Sequence, residues 1–268
     1  PSMNLLYRLH NIWGIDVIHL KRVHDLYVAL ISASSISDTP LIDLYGVKYV
    51  ISVTLIEKDP RFELIYSRLE ALQGKKEDLL KENTIKLYRN KNPILRGWLV
   101  KDFKVLDQKS ILTALTSKEF DPQKEVFFEE EPKWTREEIG NHNRSSISSS
   151  NSPNRSLVKG GKGEVEWISE SNNRLRLLVK TKENVILVLN DTYFPGWKVL
   201  VDGKEERIFR ANYNFRAVPL SAGTHQVEFV YDPLSFKLGA VVTFIGIISC
   251  FLIGLANRRR GRTNYPPG

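Results

Sequence analysis

A run of nineteen residues without a charge, Leu238 to Ala256, constrains this chain more than any other feature. Leucine, isoleucine, valine and phenylalanine dominate the run, and its three glycines are tolerated more readily in membrane helices than in soluble ones. As a helix rising about 1.5 Å per residue it measures roughly 28 Å, close to the roughly 30 Å hydrocarbon core of a bilayer. The sequence therefore predicts one transmembrane helix over residues 236–257, and this length disfavours the alternative of a buried core helix.

The basic cluster that follows the run indicates its orientation. Four arginines lie between Arg258 and Arg262, and lysine and arginine next to a membrane segment are retained on the cytoplasmic side. We therefore expect residues 258–268 to form a cytoplasmic tail and everything before Phe236 to be extracytoplasmic. Lys237 lies at the opposite end of the run, where its long side chain can reach the outer interface.

Charge and cysteine content exclude two classes of site. The net charge is +8, but residues 236–268 hold five basic residues and no acidic one. The rest carries 34 basic and 31 acidic residues, an ordinary surface, so we expect no nucleic-acid partner. The single cysteine, Cys250, lies inside the apolar run and excludes an intramolecular disulfide and a cysteine-based metal site. An outward location without disulfides indicates a bacterial or archaeal surface rather than a eukaryotic secreted module, and we expect no metal and no cofactor.

The N-terminus carries no recognisable export signal, because Pro1-Ser2-Met3 is not followed by a basic and then an apolar region. A chain whose bulk lies outside the cell needs such a signal or an earlier membrane helix. We therefore expect this sequence to be the C-terminal piece of a longer protein, with upstream transmembrane helices among its partners.

The first part of the chain, residues 1–135, mixes helical and strand patterns. Apolar residues recur at helical spacing from Asp16 to Ser32, and Asp107 is a plausible N-cap for a second helix. Val47 to Val53 is typical of a buried strand. Further strands are predicted at Phe62–Tyr66, Thr84–Tyr88, Leu95–Val100 and Val126–Glu130.

Residues 136–160 differ in composition from the rest. Seven serines and four asparagines lie between Gly140 and Ser156, with Ile147 as the only large aliphatic residue. Such a segment buries too little apolar surface to offset its ordering entropy. We expect a flexible linker or an inserted loop.

Residues 161–235 show an all-β pattern. Short strands alternate with turns, and Asp202-Gly203 is a dipeptide typical of a type I′ hairpin turn. This spacing predicts an antiparallel β-sandwich whose last strand leads directly into the membrane helix through Asp232 to Ser235. The fold class is therefore α+β: a mixed first part, a sandwich and one C-terminal transmembrane helix.

No enzyme motif is present, and the five histidines are scattered. One constellation in the sandwich could bind a ligand, because aromatic faces next to amides, carboxylates and guanidinium groups suit a sugar ring and its hydroxyls. The candidate glycan-binding residues are Tyr193, Trp197, Asp202, Arg210, Asn212, Tyr213 and Arg216. The alternative is that the aromatic residues belong to the sandwich core and the dipeptides are only turns.

Several sequence runs resemble the C-terminal end of the YfhO-like multi-pass bacterial membrane proteins. The most specific are Leu189-Asn-Asp-Thr-Tyr-Phe-Pro-Gly-Trp-Lys-Val-Leu-Val-Asp-Gly-Lys204, Arg210-Ala-Asn-Tyr-Asn-Phe-Arg-Ala-Val-Pro219, Ala222-Gly-Thr-His225 and Val227-Glu-Phe-Val-Tyr-Asp-Pro233. Shorter runs precede them in the family's order: Asn11–Asp16, Leu44–Val50, Tyr88–Pro93 and Phe120–Pro122. One departure follows Pro93, where Ile94-Leu-Arg-Gly97 stands in place of the family's Leu-Pro-Arg-Ala.

The resemblance implies a membrane-embedded glycosyltransferase of the C type. Such a protein uses a polyprenyl-phosphate-linked sugar to decorate cell-surface glycopolymers or lipids, which would be the partners together with the bilayer. Its catalytic acid lies in an early outer loop, so no catalytic residue transfers to this chain, which alone is not expected to be active. The alternative is a membrane-anchored module that binds glycans and catalyses nothing. A third possibility is a structural part that only packs against upstream helices.

Overall fold

The computed structural model describes residues 20–32, 39–53, 55–56, 59–67, 85–132, 157–160 and 163–261. The described helices are α1 (Lys21–Ile31), α2 (Leu41–Leu44), α3 (Gln108–Thr116) and α4 (Leu234–Gly261). The described strands are β1 (Tyr49–Ser52), β2 (Phe62–Ser67), β3 (Lys86–Asn90), β4 (Gly97–Val100), β5 (Asp102–Val105), β6 (Glu125–Phe128), β7 (Leu157–Gly160), β8 (Gly163–Ser171), β9 (Arg174–Thr181), β10 (Val185–Thr192), β11 (Trp197–Val201), β12 (Lys204–Glu206), β13 (Phe209–Ala211), β14 (Phe215–Leu220) and β15 (Gly223–Tyr231). Asp16 and residues 136–156 of the serine-rich segment lie outside the described residues.

Two six-stranded sheets form the centre of the fold. The inner sheet has the strand order β4-β10-β14-β13-β6-β5, and the outer sheet has the order β12-β11-β15-β9-β8-β7. Neighbouring strands are antiparallel except β5 and β6, which are parallel. The predicted β-rich α+β class is confirmed. The first part of the chain contributes more to it than the sequence indicated, because β4, β5 and β6 complete the inner sheet.

The sheet hydrogen bonds therefore cross the boundary that was predicted between the first part and the sandwich. β4 pairs with β10 from Gly97↔Leu189 to Val100↔Ile186, and β6 pairs with β13 at Phe128↔Ala211. Leu157–Gly160, at the end of the predicted linker, forms the edge strand β7 beside β8. The division of the chain into separate domains remains a prediction.

Strand β10 is buried on both faces of the inner sheet. Val185, Leu187 and Leu189 contribute to the core between the two sheets, which also contains Val179, Val199, Val218, Val227 and Phe229. Ile186 and Val188 point the other way, towards the helices. Successive side chains of a strand alternate between faces, so a strand covered on both sides needs an unbroken apolar run. The sequence Val-Ile-Leu-Val-Leu meets that need.

Helices α1, α2 and α3 form a third layer on the far face of the inner sheet. Their buried side chains, Leu26, Leu30, Leu41, Leu44, Ile111 and Leu115, pack with Trp98, Phe128 and Phe215 of that sheet. The predicted N-cap of α3 is confirmed, because an Asp107 carboxylate oxygen accepts from the backbone N–H groups of Lys109 and Ser110 at 3.0 and 3.1 Å.

A small sheet, β1-β3-β2, packs at one side of this layer. Only one of its faces is covered, by a small core that contains Ile42, Val50, Phe62 and Tyr88. The prediction of a buried strand at residues 47–53 is wrong in this respect: Tyr49 and Ile51 are 58% and 74% exposed. The β-branched run indicated a strand, but the number of covered faces depends on the neighbouring elements.

The Asp202-Gly203 turn has the predicted conformation. Asp202 has φ of 53° and Gly203 has φ of 84°, so both central residues are left-handed, as a type I′ turn requires. The turn joins β11 to β12, whose register runs from Val201↔Lys204 to Val199↔Glu206.

Helix α4 leaves the end of β15. Its apolar part, Leu234–Leu255, has 22 residues, and none of it is buried against the rest of the described chain. A helix that is apolar all round and exposed to this extent is typical of a membrane span. Among the described residues it is the one helix that is long and apolar enough to cross a bilayer.

The core between the two sheets provides the first testable prediction. Leu187→Ala removes a fully buried side chain from β10 and should lower the free energy of unfolding by about 3 kcal/mol through lost burial and a cavity. Urea denaturation of the detergent-solubilised chain, followed by tryptophan fluorescence, measures the change. Ile51→Ala, at the exposed face of β1, is the control and should change the free energy by less than about 0.5 kcal/mol. Equal effects of the two substitutions would contradict the described packing.

Candidate functional site

A cleft of about 270 Å³ opens at one end of the two central sheets. It lies where β10 ends, β11 begins and the turn between β8 and β9 projects. Its lining combines charged, amide, hydroxyl and aromatic groups: Arg96, Glu170, Ser171, Asn172, Leu175, Asp191, Trp197 and Arg216. Its volume is just below the roughly 300–1,000 Å³ typical of sites for drug-sized ligands. The cleft therefore suits one ring-sized or headgroup-sized unit.

Arg216 lies deepest in the polar part of this cleft. Strand β14 directs it towards the outer sheet, and its side chain is only 4% exposed. The guanidinium carbon lies 4.1 Å from the centre of the Trp197 ring and 5.3 Å from that of Phe229. Its Nη2 donates to Asp191 at 2.7 Å. The Nε and Nη1 atoms are buried and have no hydrogen-bond acceptor in the described part of the chain.

Asp191 reaches the cleft because β10 is irregular at its end. The register with β14 shifts between Leu189 and Thr192, which is the signature of a β-bulge. Bulges re-aim side chains, and here Asp191 joins two arginines. Besides Arg216, it accepts from Arg96 Nε at 2.7 Å and from Arg96 Nη2 at 3.1 Å. Arg96 in turn donates from Nη1 to Glu170 at 2.5 Å.

The pKa values of the two arginines that share Asp191 are shifted in opposite directions. Burial lowers the pKa of the Arg216 guanidinium to about 10, with Asp191 opposing this effect and Arg96 adding to it. Burial also lowers the pKa of Arg96, but its hydrogen bonds and attraction to Asp191 and Glu170 outweigh this and hold the pKa above its ordinary value. Both groups are therefore charged at neutral pH, and Arg216 is the one whose charge is poorly compensated.

The cleft adjoins the start of the membrane helix. Trp197 pairs with Tyr231 at the end of β15, only three residues before α4 begins at Leu234. The Asp232 N–H donates to the Gly196 carbonyl at 2.8 Å. Gly196 has φ of 102°, and a Cβ there would lie 2.9 Å from Pro233, so glycine allows the loop before β11 to close on the helix joint.

The structure brings some of the predicted glycan-binding residues together and separates others. Trp197 and Arg216 line the cleft. Arg210 and Tyr193 are next to them: the Arg210 guanidinium carbon lies 4.5 Å from the Tyr193 ring centre. Asp202 is at the far end of β11, five residues from Trp197 and so roughly 16 Å away.

Asn212 and Tyr213 lie in the turn between β13 and β14, where Asn212 bonds strand β6 and Tyr213 packs against the helices. Asn212 Oδ1 accepts from the Phe127 N–H at 2.9 Å. The Tyr213 hydroxyl donates to Asp25 at 2.6 Å and accepts from Gln108 at 3.0 Å. Both residues have positive φ, 43° and 74°, a costly conformation outside glycine that these contacts hold in place.

A second group of residues joins two turns at the far end of the sandwich. His225 Nδ1 lies 2.8 Å from Asp202 Oδ2, and Ser221 Oγ lies 3.4 Å from His225 Nε2. The residue types are those of a hydrolytic triad. However, the same Nε2 lies 3.0 Å from the Ser221 carbonyl oxygen, which can only accept a hydrogen bond. An Nε2–H that donates to this carbonyl oxygen is not available to accept the proton of the Ser221 hydroxyl, so this geometry does not favour a hydrolytic triad.

Six of the eight cleft residues are not among the predicted site residues, and three of these six are charged. Asp191 lies beside the aromatic cluster in the sequence, so its position in the sequence is a local signal for the site. Arg96 and Glu170 lie 95 and 21 positions from it and carry no local signal. Only the pairing of β4 with β10 brings Arg96 to Asp191, and Glu170, at the end of β8, then contacts Arg96.

Removing one partner of the Asp191–Arg216 pair should have a different effect from removing the other. Asp191→Asn leaves a buried guanidinium without its counter-ion and should lower the free energy of unfolding by about 3 kcal/mol. Arg216→Met replaces the charge by an apolar group while Asp191 keeps Arg96, so stability should be unchanged or slightly higher. Urea denaturation of both variants measures the difference. A larger loss in Arg216→Met than in Asp191→Asn would refute this account.

Comparisons with known proteins agree with the sequence resemblance. Residues 155–243, from just before β7 into α4, match a family model described as bacterial membrane protein YfhO. The uncharacterized protein YfhO of Bacillus subtilis (strain 168) is 26% identical over 85 residues, which cover 32% of this chain and 10% of that relative. No solved structure matches the chain. The resemblance to the YfhO family of bacterial membrane proteins is thus confirmed over residues 155–243, about a third of the chain.

Proposed function

We propose that this chain is the extracytoplasmic portion and last membrane helix of a YfhO-like glycosyltransferase. Such a protein transfers a sugar from a polyprenyl phosphate to cell-surface glycopolymers or lipids, with its catalytic residues outside this chain. The observation that carries the proposal is the position of the cleft, at the end of the sandwich where α4 begins. A sugar attached to a membrane lipid is presented at that level.

The chemistry of the cleft supports a sugar ligand. Asp191 and Glu170 offer acceptors, Asn172 offers both a donor and an acceptor, and Ser171 offers a hydroxyl. Trp197 lies at the wall, tilted against Tyr231 at a ring-centre distance of 5.3 Å. A few polar groups beside an aromatic wall provide the apolar contact and the hydrogen bonds that fix a sugar ring.

Helix α4 supports the expected membrane partners. Gly239, Ala240 and Thr243 line a shallow groove on its surface, between the larger side chains of Phe236, Phe244 and Ile247. Small residues on one side of a membrane helix allow a second helix to approach closely. Transmembrane helices of the same protein are the partners that the proposal assigns to this groove.

The same cleft also supports a second function, a membrane-anchored module that binds glycans without transferring them. Both functions require the cleft to hold a sugar, and they differ in whether sugar transfer takes place. Measuring retention and transfer separately distinguishes them.

Trp197→Ala should weaken glycan retention at least about tenfold, because it removes the aromatic wall and the ring against which Arg216 stacks. Membranes carrying the full protein are assayed for retention of cell-surface glycopolymer and for transfer of sugar from a polyprenyl-phosphate donor. Tyr49→Ala, on the exposed face of the small sheet, is the matched aromatic control and should change neither measurement. Retention without transfer in the unsubstituted protein would favour the binding module. Unchanged retention in Trp197→Ala would refute both functions of the cleft.

The proposed orientation has its own test. A reporter that is active only in the cytoplasm, fused after Gly268, should be active because the arginine cluster retains that end inside. An epitope inserted between Asp202 and Gly203 should be accessible to antibody on intact spheroplasts. The opposite pattern would reverse the orientation and place the cleft on the cytoplasmic side.

A further inference from the structure

Two arginines lie side by side on the face of the inner sheet that is turned towards the outer sheet, and one of them, Arg216, lines the cleft. Arg210 on β13 and Arg216 on β14 are directly paired in the antiparallel register, and their neighbours Ala211 and Ala217 face the helices. Directly opposed residues share one face with Cβ atoms about 5 Å apart, and like charges in that position destabilise a sheet. The fold places two positive charges where a sheet alone would disfavour them.

The hydrogen-bond donors of this arginine pair are incompletely used. Arg210 Nε, Arg216 Nε and Arg216 Nη1 are all buried, and none has an acceptor in the part of the chain that the structure describes. Arg216 uses Nη2 alone, towards Asp191. Burying a charged group with unmet donors is costly, so an external acceptor that met them would bind favourably.

The charged residues that line the cleft, together with Arg210, carry one net positive charge. Arg96, Arg210 and Arg216 contribute three positive charges, while Asp191 and Glu170 contribute two negative ones. Glu170 contacts Arg96, and Asp191 divides its oxygens between Arg96 and Arg216. A ligand with a single negative charge balances the cluster.

We propose that Arg210 and Arg216 form a binding subsite for a phosphate-type oxyanion on a ligand held at the membrane surface. Three donors on two guanidinium groups suit tetrahedral oxygens better than a planar carboxylate, and guanidinium groups bind phosphate oxygens strongly. The cleft adjoins the start of α4, so a membrane lipid can present its headgroup there. The inference rests on the proposed function only in placing this anion in the same cleft as the sugar.

Entry of the anion requires a small movement. The unmet atoms are covered by protein in this structure, and the guanidinium of Arg216 stacks on Trp197. An oxyanion that draws the guanidinium away from this ring changes the surroundings of the indole. Binding should therefore alter tryptophan fluorescence, and the change should be absent in Trp197→Phe.

The test uses the full chain in an uncharged polyoxyethylene detergent, because phosphatidylcholine carries a phosphodiester that would itself compete for the subsite. Inorganic phosphate is titrated at constant ionic strength, and thermal unfolding and tryptophan fluorescence are recorded. In a second arm, phosphatidylglycerol is added to the micelles. Arg216→Lys keeps the charge but loses the fixed donors, and it should weaken the response about tenfold. Asp191→Asn removes the internal competitor and should strengthen the response several-fold. Arg89→Gln breaks a surface ion pair on the small sheet and is the matched control.

The two arms separate the possible sources of the anion. A response to inorganic phosphate supports a subsite open to soluble oxyanions, and a response only to phosphatidylglycerol supports a lipid headgroup. No response in either arm, or one that is equal in Arg216→Lys and Arg89→Gln, overturns the inference. Arg210→Lys provides the same test if Arg216→Lys does not fold. Methyl glucoside, which is neutral, tests the sugar site separately. If the unsubstituted protein binds the anion but not methyl glucoside, only the proposed function is refuted.

Discussion

The burial of β10 on both faces is the constraint on which the rest of this structure depends. One face of the strand closes the core between the two sheets, and the other supports the helical layer. Because β10 pairs with β4 on one side and β14 on the other, it also joins the two halves of the chain. A polar residue within Val185–Leu189 would disrupt one of the two cores, because successive residues of the strand point to alternate faces.

The cleft forms where this constraint ends. Beyond Leu189 the register with β14 shifts, and the chain turns from apolar residues to Asn190 and Asp191. The Asn190 N–H still donates to the Arg96 carbonyl at 3.0 Å. This bond keeps Arg96 next to the bulge, within hydrogen-bonding distance of Asp191. Arg216, on the neighbouring strand, completes a charged cluster at the open end of an otherwise apolar layer.

The attachment of the membrane helix places this charged cluster close to the start of α4. The backbone of the joint is hydrogen-bonded to the loop before β11, and the Lys237 ammonium donates to Asp232 at 2.6 Å. The predicted joint of four residues is shorter in the structure, since α4 already begins at Leu234. A short and bonded joint holds the cleft close to the start of the span, where the sugar and the oxyanion of a lipid-linked ligand would both lie.

The sequence by itself determined the local features of this protein. It predicted the apolar span, the Asp202-Gly203 turn, the Asp107 cap and the β-rich character of residues 161–235, because each depends on residues close together in the chain. It also indicated Trp197 and Arg216, which lie within one aromatic and polar cluster. Only the tertiary structure decided that β4, β5 and β6 join the inner sheet and that Arg96 reaches both Asp191 and Glu170. It also decided that Asn212 bonds strand β6 and that Tyr213 packs against the helices. Those outcomes depend on strand pairing and on which faces are covered, and both are set by contacts between residues far apart in the sequence.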